Sequence, residues 1–182
     1  VNGAGQPESS ISLKTPSYNV DRVCFNLDQL FTQGNDSGWK HEYNGVDIPP
    51  QFWGVNYTLE NRQLYSSSRN YSGVWIQSTN VTGIGSGLNS GRAVRVFEGR
   101  DCLTTEPYYS LSCQTPGQGQ CFSTARTFRS FALDDAYPYI RANDGKCESF
   151  APYSLNAATT ISSKASLAAT ALVITAALWM SF

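Results

Sequence analysis

The run from Leu167 to Phe182 carries no charge and reads L-A-A-T-A-L-V-I-T-A-A-L-W-M-S-F. Few structures accommodate such a run. A helix on the surface of a globular domain needs a polar face, and this run has none. A permanent membrane span needs about 20 apolar residues, and a basic cluster on its cytoplasmic side to hold it. This run is shorter, and no Lys or Arg follows it. Immediately upstream lie the small residues Asn156, Ala157 and Ala158, then a polar stretch from Thr159 to Ser166. Small residues, polar spacer and short apolar tail together make the signal for attachment of a glycosylphosphatidylinositol (GPI) lipid. Asn156 is the expected attachment residue. Residues 154–166 hold the site and spacer, and 167–182 are the tail expected to leave when lipid is attached. A retained membrane anchor and a buried core helix are the competing readings of the same run.

The rest of the chain agrees with passage through the secretory route. The chain opens on Val1 rather than Met, as expected if a signal peptide has been removed. Asn35, Asn56, Asn70 and Asn80 each begin an N-x-S/T sequon, the acceptor for N-glycosylation. A glycan is bulky and solvated, so all four are expected at the surface. Thirteen basic residues face fourteen acidic ones, and a balance so close to neutral gives no reason to expect a nucleic-acid partner. The five cysteines, Cys24, Cys102, Cys113, Cys121 and Cys147, fit an oxidising compartment. Five allows at most two internal bridges. One bridge is expected within the close group Cys102, Cys113 and Cys121, and another between Cys24 and Cys147, joining the two ends of the domain. The leftover thiol is buried, pairs with another molecule, or has lost a partner. There is no C-x-x-C, and His41 is the sole histidine, so zinc-ligand spacing is missing and no cofactor is expected.

Periodicity divides residues 1–153 into a lead-in and a domain. Residues 1–18 are rich in Gly, Ser and Pro and read as a flexible lead-in with one short strand at Ile11 to Leu13. Residues 19–153 read as the ectodomain. Val20 to Leu27 is its first strand, and Phe31 to Gly38 a polar loop. His41 to Ile48 is a hairpin turning at Asn44-Gly45, which adopts the positive backbone angles of a tight turn, and Pro49-Pro50 ends it. Between Phe52 and Leu59, Trp53, Val55, Tyr57 and Leu59 alternate at strand period. Short strands follow at Gln63–Tyr65 and Val74–Gln77, with polar Ser66 to Ser72 between. Thr82 to Gly91 is a loop, Ala93 to Phe97 a strand, and Leu111 to Phe122 a cysteine-pinned loop or hairpin. Phe128 to Leu133 is a strand, and 139–150 a closing hairpin. Asp28 to Thr32 supports a turn at most. Many short strands between turn residues predict an all-β, disulfide-stabilised sandwich of Greek-key type.

Leu64-Tyr-Ser-Ser-Ser-Arg-Asn-Tyr-Ser-Gly73 resembles the tyrosine corner and Y-x-G opening of a βγ-crystallin Greek-key unit. Arg95 to Cys102 and Arg129 to Leu133 resemble the opening and closing strands of a second unit. Small secreted fungal proteins with this kind of β-fold look similar. The resemblance covers about half the ectodomain, 63–133, and implies a β-fold. Tyr65 and Tyr71 have one more residue between them than the usual spacing, and the family's calcium signature is missing, so no calcium site is carried over.

No catalytic motif is visible. His41 has no Gly-x-Ser-x-Gly elbow to work with and reads as an ordinary strand residue beside a hairpin. A copper brace would need a histidine at the terminus where Val1 stands. Glycoside hydrolysis needs two facing carboxylates. Glu42, Asp47, Glu60, Glu98, Asp101, Glu106, Asp134 and Asp135 are available, and solvated carboxylates are their default reading. Trp53, Tyr57 and Trp75 read as core residues, whereas Trp39 reads as lying in a polar loop after a sequon and is the candidate ligand-facing aromatic. Arg92, Arg95 and Arg100 are candidates for a basic patch, though interspersed acids favour a solvated face. The sequence thus predicts a GPI-anchored, N-glycosylated β-domain at a cell surface or wall, of fungal type. Its expected partners are the outer leaflet, through the lipid, and wall polysaccharide, in a structural, adhesive or binding role. A wall-remodelling glycoside hydrolase or transferase, and an effector or inhibitor that binds a protein, are the alternatives.

Overall fold

A computed structural model of the chain describes residues 10–17, 22–41, 54–79, 88–103, 109–115, 119–124, 126–135, 147, 149–150 and 170–177. These residues are mostly β-strand, arranged in two sheets with two disulfides. The strands are β1 (Ile11–Lys14), β2 (Val23–Asn26), β3 (Ser37–His41), β4 (Gly54–Glu60), β5 (Tyr71–Thr79), β6 (Asn89–Phe97), β7 (Tyr109–Cys113), β8 (Gln120–Ser123), β9 (Ser130–Asp135), β10 (Ser149–Phe150) and β11 (Thr170–Ala177).

The first sheet runs β3-β4-β1-β11-β5-β8 and the second β10-β7-β6-β9-β2. Pairing is antiparallel except at β11, which lies parallel to β1 on one side and to β5 on the other. The two sheets share one core. Ile11, Leu13, Val55, Tyr57, Val74 and Ile76 from the first meet Val23, Phe25, Val94, Val96, Leu111, Phe131 and Leu133 from the second. The Phe25 ring meets Tyr57 edge-on at 5.6 Å and stacks on Phe131 at 5.2 Å. On β4 the alternation reads as the sequence predicts: Val55, Tyr57 and Leu59 are buried, Asn56 and Thr58 exposed.

Local chemistry explains the irregular places. Strand β6 carries a register shift against β7 between Asn89 and Val94. There Gly91 takes φ +74°, a region open to glycine at little cost. Its N–H is accepted by the Asn89 side chain at 2.7 Å, and the buried Ser90 hydroxyl donates to the Ser112 carbonyl at 3.0 Å. On β5 the buried Trp75 lies against Gly119, where a Cβ would fall 2.4 Å from the indole.

Several expectations need correction. Cys24 bonds Cys102 and Cys113 bonds Cys147, leaving Cys121 free and exposed. The expected pairing fails because sequence proximity is not spatial proximity here. The hairpin of β6 and β7 sets Cys113 level with Asn89, whereas Cys102 lies beyond Phe97 at the opposite end of β6. Asp28 to Thr32 is more than a turn. Leu27–Thr32 is a short α-helix, α1, that buries Leu27, Leu30 and Phe31 at helical spacing. Arg62–Leu64 is a 3₁₀ turn rather than a strand. β7 and β8 are not a hairpin, since they belong to different sheets. Asn89 to Gly91, expected in a loop, open β6. Trp39 stands on β3 rather than in a loop. The expected hairpin at 41–48, Trp53, and most of the loop at 82–91 and of the closing hairpin lie outside the described residues, as do Asn80 and Asn156. The strand expected at Ile11 to Leu13 forms as β1, with both apolar side chains fully buried.

Candidate functional site

Four segments meet around a cavity of about 150 Å³ whose lining includes Asp28, Tyr65, Arg69, Asn70, Tyr71, Arg100 and, from the stretch Thr127–Arg129 just before β9, Arg129. The other three are each fixed by a different device. The first is α1, which offers Asp28 from its opening turn. The second is the stretch from the 3₁₀ turn to β5. Here the Tyr71 hydroxyl accepts the Ser66 N–H at 3.0 Å and donates to the Ser66 carbonyl at 3.3 Å. That closes a loop of five residues in the manner of a tyrosine corner. Rings of Phe31, Tyr65 and Tyr71 stack in series, at 5.8 Å and 5.6 Å between centroids. The third is the turn after β6, which carries Arg100. Asp101 and Cys102 both have positive φ, 57° and 51°, a conformation costing a non-glycine residue about 1–3 kcal/mol. Hydrogen bonds hold it there. Asn26 accepts the Asp101 N–H at 2.7 Å and donates to the Asp101 carboxylate at 2.6 Å. Ser130 accepts the Cys102 N–H at 3.2 Å and donates to the Gly99 carbonyl at 2.7 Å. The Cys24–Cys102 disulfide ties the same turn to β2.

The cavity's electrostatics lean positive. Arg69, Arg100 and Arg129 stand against a single carboxylate, Asp28, which pairs with Arg100 at 3.1 Å. Burial pushes the Tyr65 hydroxyl above its ordinary value of 10.0, with Asp28 and Tyr71 adding to the rise and Arg100 and Arg129 opposing it. Tyr65 is therefore a neutral donor at physiological pH. Tyr71 is buried with its hydroxyl engaged by Ser66, and Tyr65 stacks between Phe31 and Tyr71, so the tyrosines offer the ring edge and hydroxyl of Tyr65, while guanidinium forks match carboxylate and phosphate oxygens. Glycosidic cleavage requires two carboxylates, and this lining supplies one. The other described carboxylates that form ion pairs do so elsewhere: Asp36 with Arg62, Glu60 with Lys14, Glu98 with Arg126, and Asp134 with Arg22 and Arg95. Among the described residues no group of three or more His, Cys, Asp or Glu is placed to hold a metal ion.

The sequence-derived candidates distribute as follows. Asn35, Asn56 and Asn70 are exposed, and Asn70 stands on the cavity wall. Trp39 is 44% exposed and stacks on His41 at 4.4 Å. Arg92, Arg95 and Arg100 form no common patch: Arg92 is buried and reaches the Pro16 carbonyl, Arg95 faces Asp134, and Arg100 lines the cavity. The partial burial of the Cys121 sulfur pushes its thiol pKa up, which keeps it protonated and slow to react at neutral pH. Sequence reasoning passed over Tyr65, Arg69 and Arg129 as ligand groups. The tyrosine-corner stretch was the available signal for the first two, since it places Tyr65 and Arg69 on one pinned loop.

A scan against protein-family models finds no match, and searches of curated proteins and of solved structures find none either. Among the described residues no helix is long and apolar enough to cross a membrane.

Proposed function

We propose that this chain is a secreted, N-glycosylated, GPI-anchored surface protein whose β-domain, a sandwich of Greek-key type, binds saccharide through the arginine-lined cavity. The observation that carries the binding role is the lining itself: Arg69, Arg100 and Arg129 beside the Tyr65 hydroxyl, with one opposing carboxylate. That chemistry favours a sugar bearing a carboxylate or phosphate over a neutral one. Surface display is supported by the two disulfides, the three exposed sequon asparagines and the tripartite signal around Asn156.

Two measurements on one preparation test this reading. The full precursor is expressed in a fungal cell, membranes are treated with a phosphatidylinositol-specific phospholipase, and the last peptide of the released protein is weighed. A glycolipid remnant on Asn156 is expected, and a peptide ending at Phe182 sinks the anchored reading. The released protein is then titrated with uronic-acid, phosphorylated and neutral oligosaccharides. Binding of the charged sugars that weakens with added salt is expected, and equal or no binding of all three sinks the site.

A further inference from the structure

We propose that Trp39 is the seat of the first sugar of an N-linked glycan on Asn56, so that this aromatic packs a sugar of its own chain rather than an outside polymer. The inference rests on the secreted-glycoprotein reading. Its geometry comes from the antiparallel pair β3 and β4, in which Trp39 lies directly opposite Asn56, Ser37 opposite Thr58 and His41 opposite Gly54. Asn56 and Thr58, the two recognition residues of the sequon, are both exposed, and Tyr57 between them is buried. Trp39 is exposed on that same face. Residues directly opposite each other in an antiparallel pair have Cβ atoms about 4.5–5.5 Å apart. A sugar joined to the Asn56 amide therefore starts within van der Waals reach of the indole.

The indole is already laid out as a platform. Gly54 leaves room beneath it, since a Cβ there would fall 2.1 Å from the indole nitrogen. His41 stacks beside it at 4.4 Å with 22° between planes. A flat aromatic face held this way suits the C–H face of a pyranose, and covering it removes an exposed tryptophan from water. Asn35 and Asn70 lie outside strands and have no cross-strand aromatic. The glycan arrives by transfer from a lipid-pyrophosphate-linked oligosaccharide. The Asn56 side-chain nitrogen bonds the anomeric carbon and loses a proton, and the lipid pyrophosphate leaves.

The test uses the full precursor expressed in eukaryotic cells and the protein recovered from them. Glycopeptide masses give occupancy at Asn35, Asn56, Asn70 and Asn80, and thermal melts compare wild type, Asn56→Gln, Trp39→Ala and the double variant. Asn56 is expected to be occupied. Losing its glycan should lower Tm by about 2–4 °C in wild type and by less than about 1 °C once Trp39 is gone. Equal drops in both backgrounds overturn the proposal. So does an empty Asn56 beside occupied Asn35 and Asn70, which leaves the secreted reading standing. Four empty sites overturn both. If Trp39→Ala fails to fold, proton NMR of the wild-type glycoprotein decides. Ring-current upfield shifts of the first sugar's protons on Asn56 support the platform, and unshifted resonances overturn it.

Discussion

Asn26 does the work of a fastener. Its side chain meets both the N–H and the carboxylate of Asp101, and so holds that residue at positive φ, while Ser130 holds Cys102 beside it. Asn26→Ala should cost about 1–2 kcal/mol, because it removes two part-buried hydrogen bonds that hold a strained turn. Urea melts measure this, and Arg100 should lose its seat in the cavity at the same time. Arg129 is the cavity cation with the simplest role. Arg129→Ala should weaken binding of an acidic oligosaccharide about tenfold, the value of one charge-assisted contact, and calorimetry checks it. For Tyr65 the raised pKa sets the sign of a pH effect. The unfolded chain gives up this phenolic proton first, near 10.0, while the folded chain holds it. The associated stability is intact below that value and falls as pH rises through the folded pKa. Tyr65→Phe should flatten the decline between wild type and variant in melts taken from pH 9 to 11. At this scale the sequence was legible where a residue's role is local. Sequon exposure at Asn35, Asn56 and Asn70 follows from the glycan that a used site must carry. The disulfide partners did not follow, since the separation along the chain hides which end of a hairpin each cysteine occupies.

Strand β11 comes from the very run that the sequence assigns to a removable tail. Among the described residues of the uncleaved chain it is the only strand joining β3-β4-β1 to β5-β8. Cleavage after Asn156 would take it away and leave the edges of β1 and β5 facing each other about 10 Å apart, two strand spacings. A chain stopped at Asn156 should therefore melt at a lower temperature and bind a hydrophobic dye. A synthetic peptide spanning Thr170–Ala177 should restore the melt by adding back a strand. Fluorescence melts with and without peptide check this. The run is rich in Val, Ile and Thr near its centre, which suits a strand. Its lack of a polar face suits a doubly covered one equally well. Composition alone does not separate a lipid-attachment tail from a central strand, because both demand uninterrupted apolar residues. α1 was missed for the opposite reason: six residues are too few for helical periodicity to stand out, and Leu27, Leu30 and Phe31 mark its buried face only once the core is known.

Across the whole molecule, the second sheet is covalently fastened and the first is not. Cys24 lies on β2 and Cys113 on β7, both in the second sheet, while the free Cys121 lies on β8 at the edge of the first. In the loop-entropy picture a bridge spanning 78 residues is worth about 4–5 kcal/mol. Cys24→Ala with Cys102→Ala should lower stability by that order, with Cys121→Ala within about 0.5 kcal/mol of wild type, as equilibrium denaturation will show. The all-β class was legible from alternation on Val55, Tyr57 and Leu59. The allocation of strands to two sheets was not, because β7 and β8 are separated by a few residues yet go to opposite layers.

The place of β11 in the order of the chain also has a consequence in time. Ile11 pairs with Leu172, 161 positions later (172 − 11). At synthesis rates of about 5–20 residues per second, β1 waits roughly 8–32 s before its neighbour has been made. Throughout that interval its edge stands open to any other strand nearby, joined by that of β5 once β5 has been made. The newborn chain is thus a natural client for chaperones that shield unpaired strand edges. Those chaperones would be released when the last strand arrives.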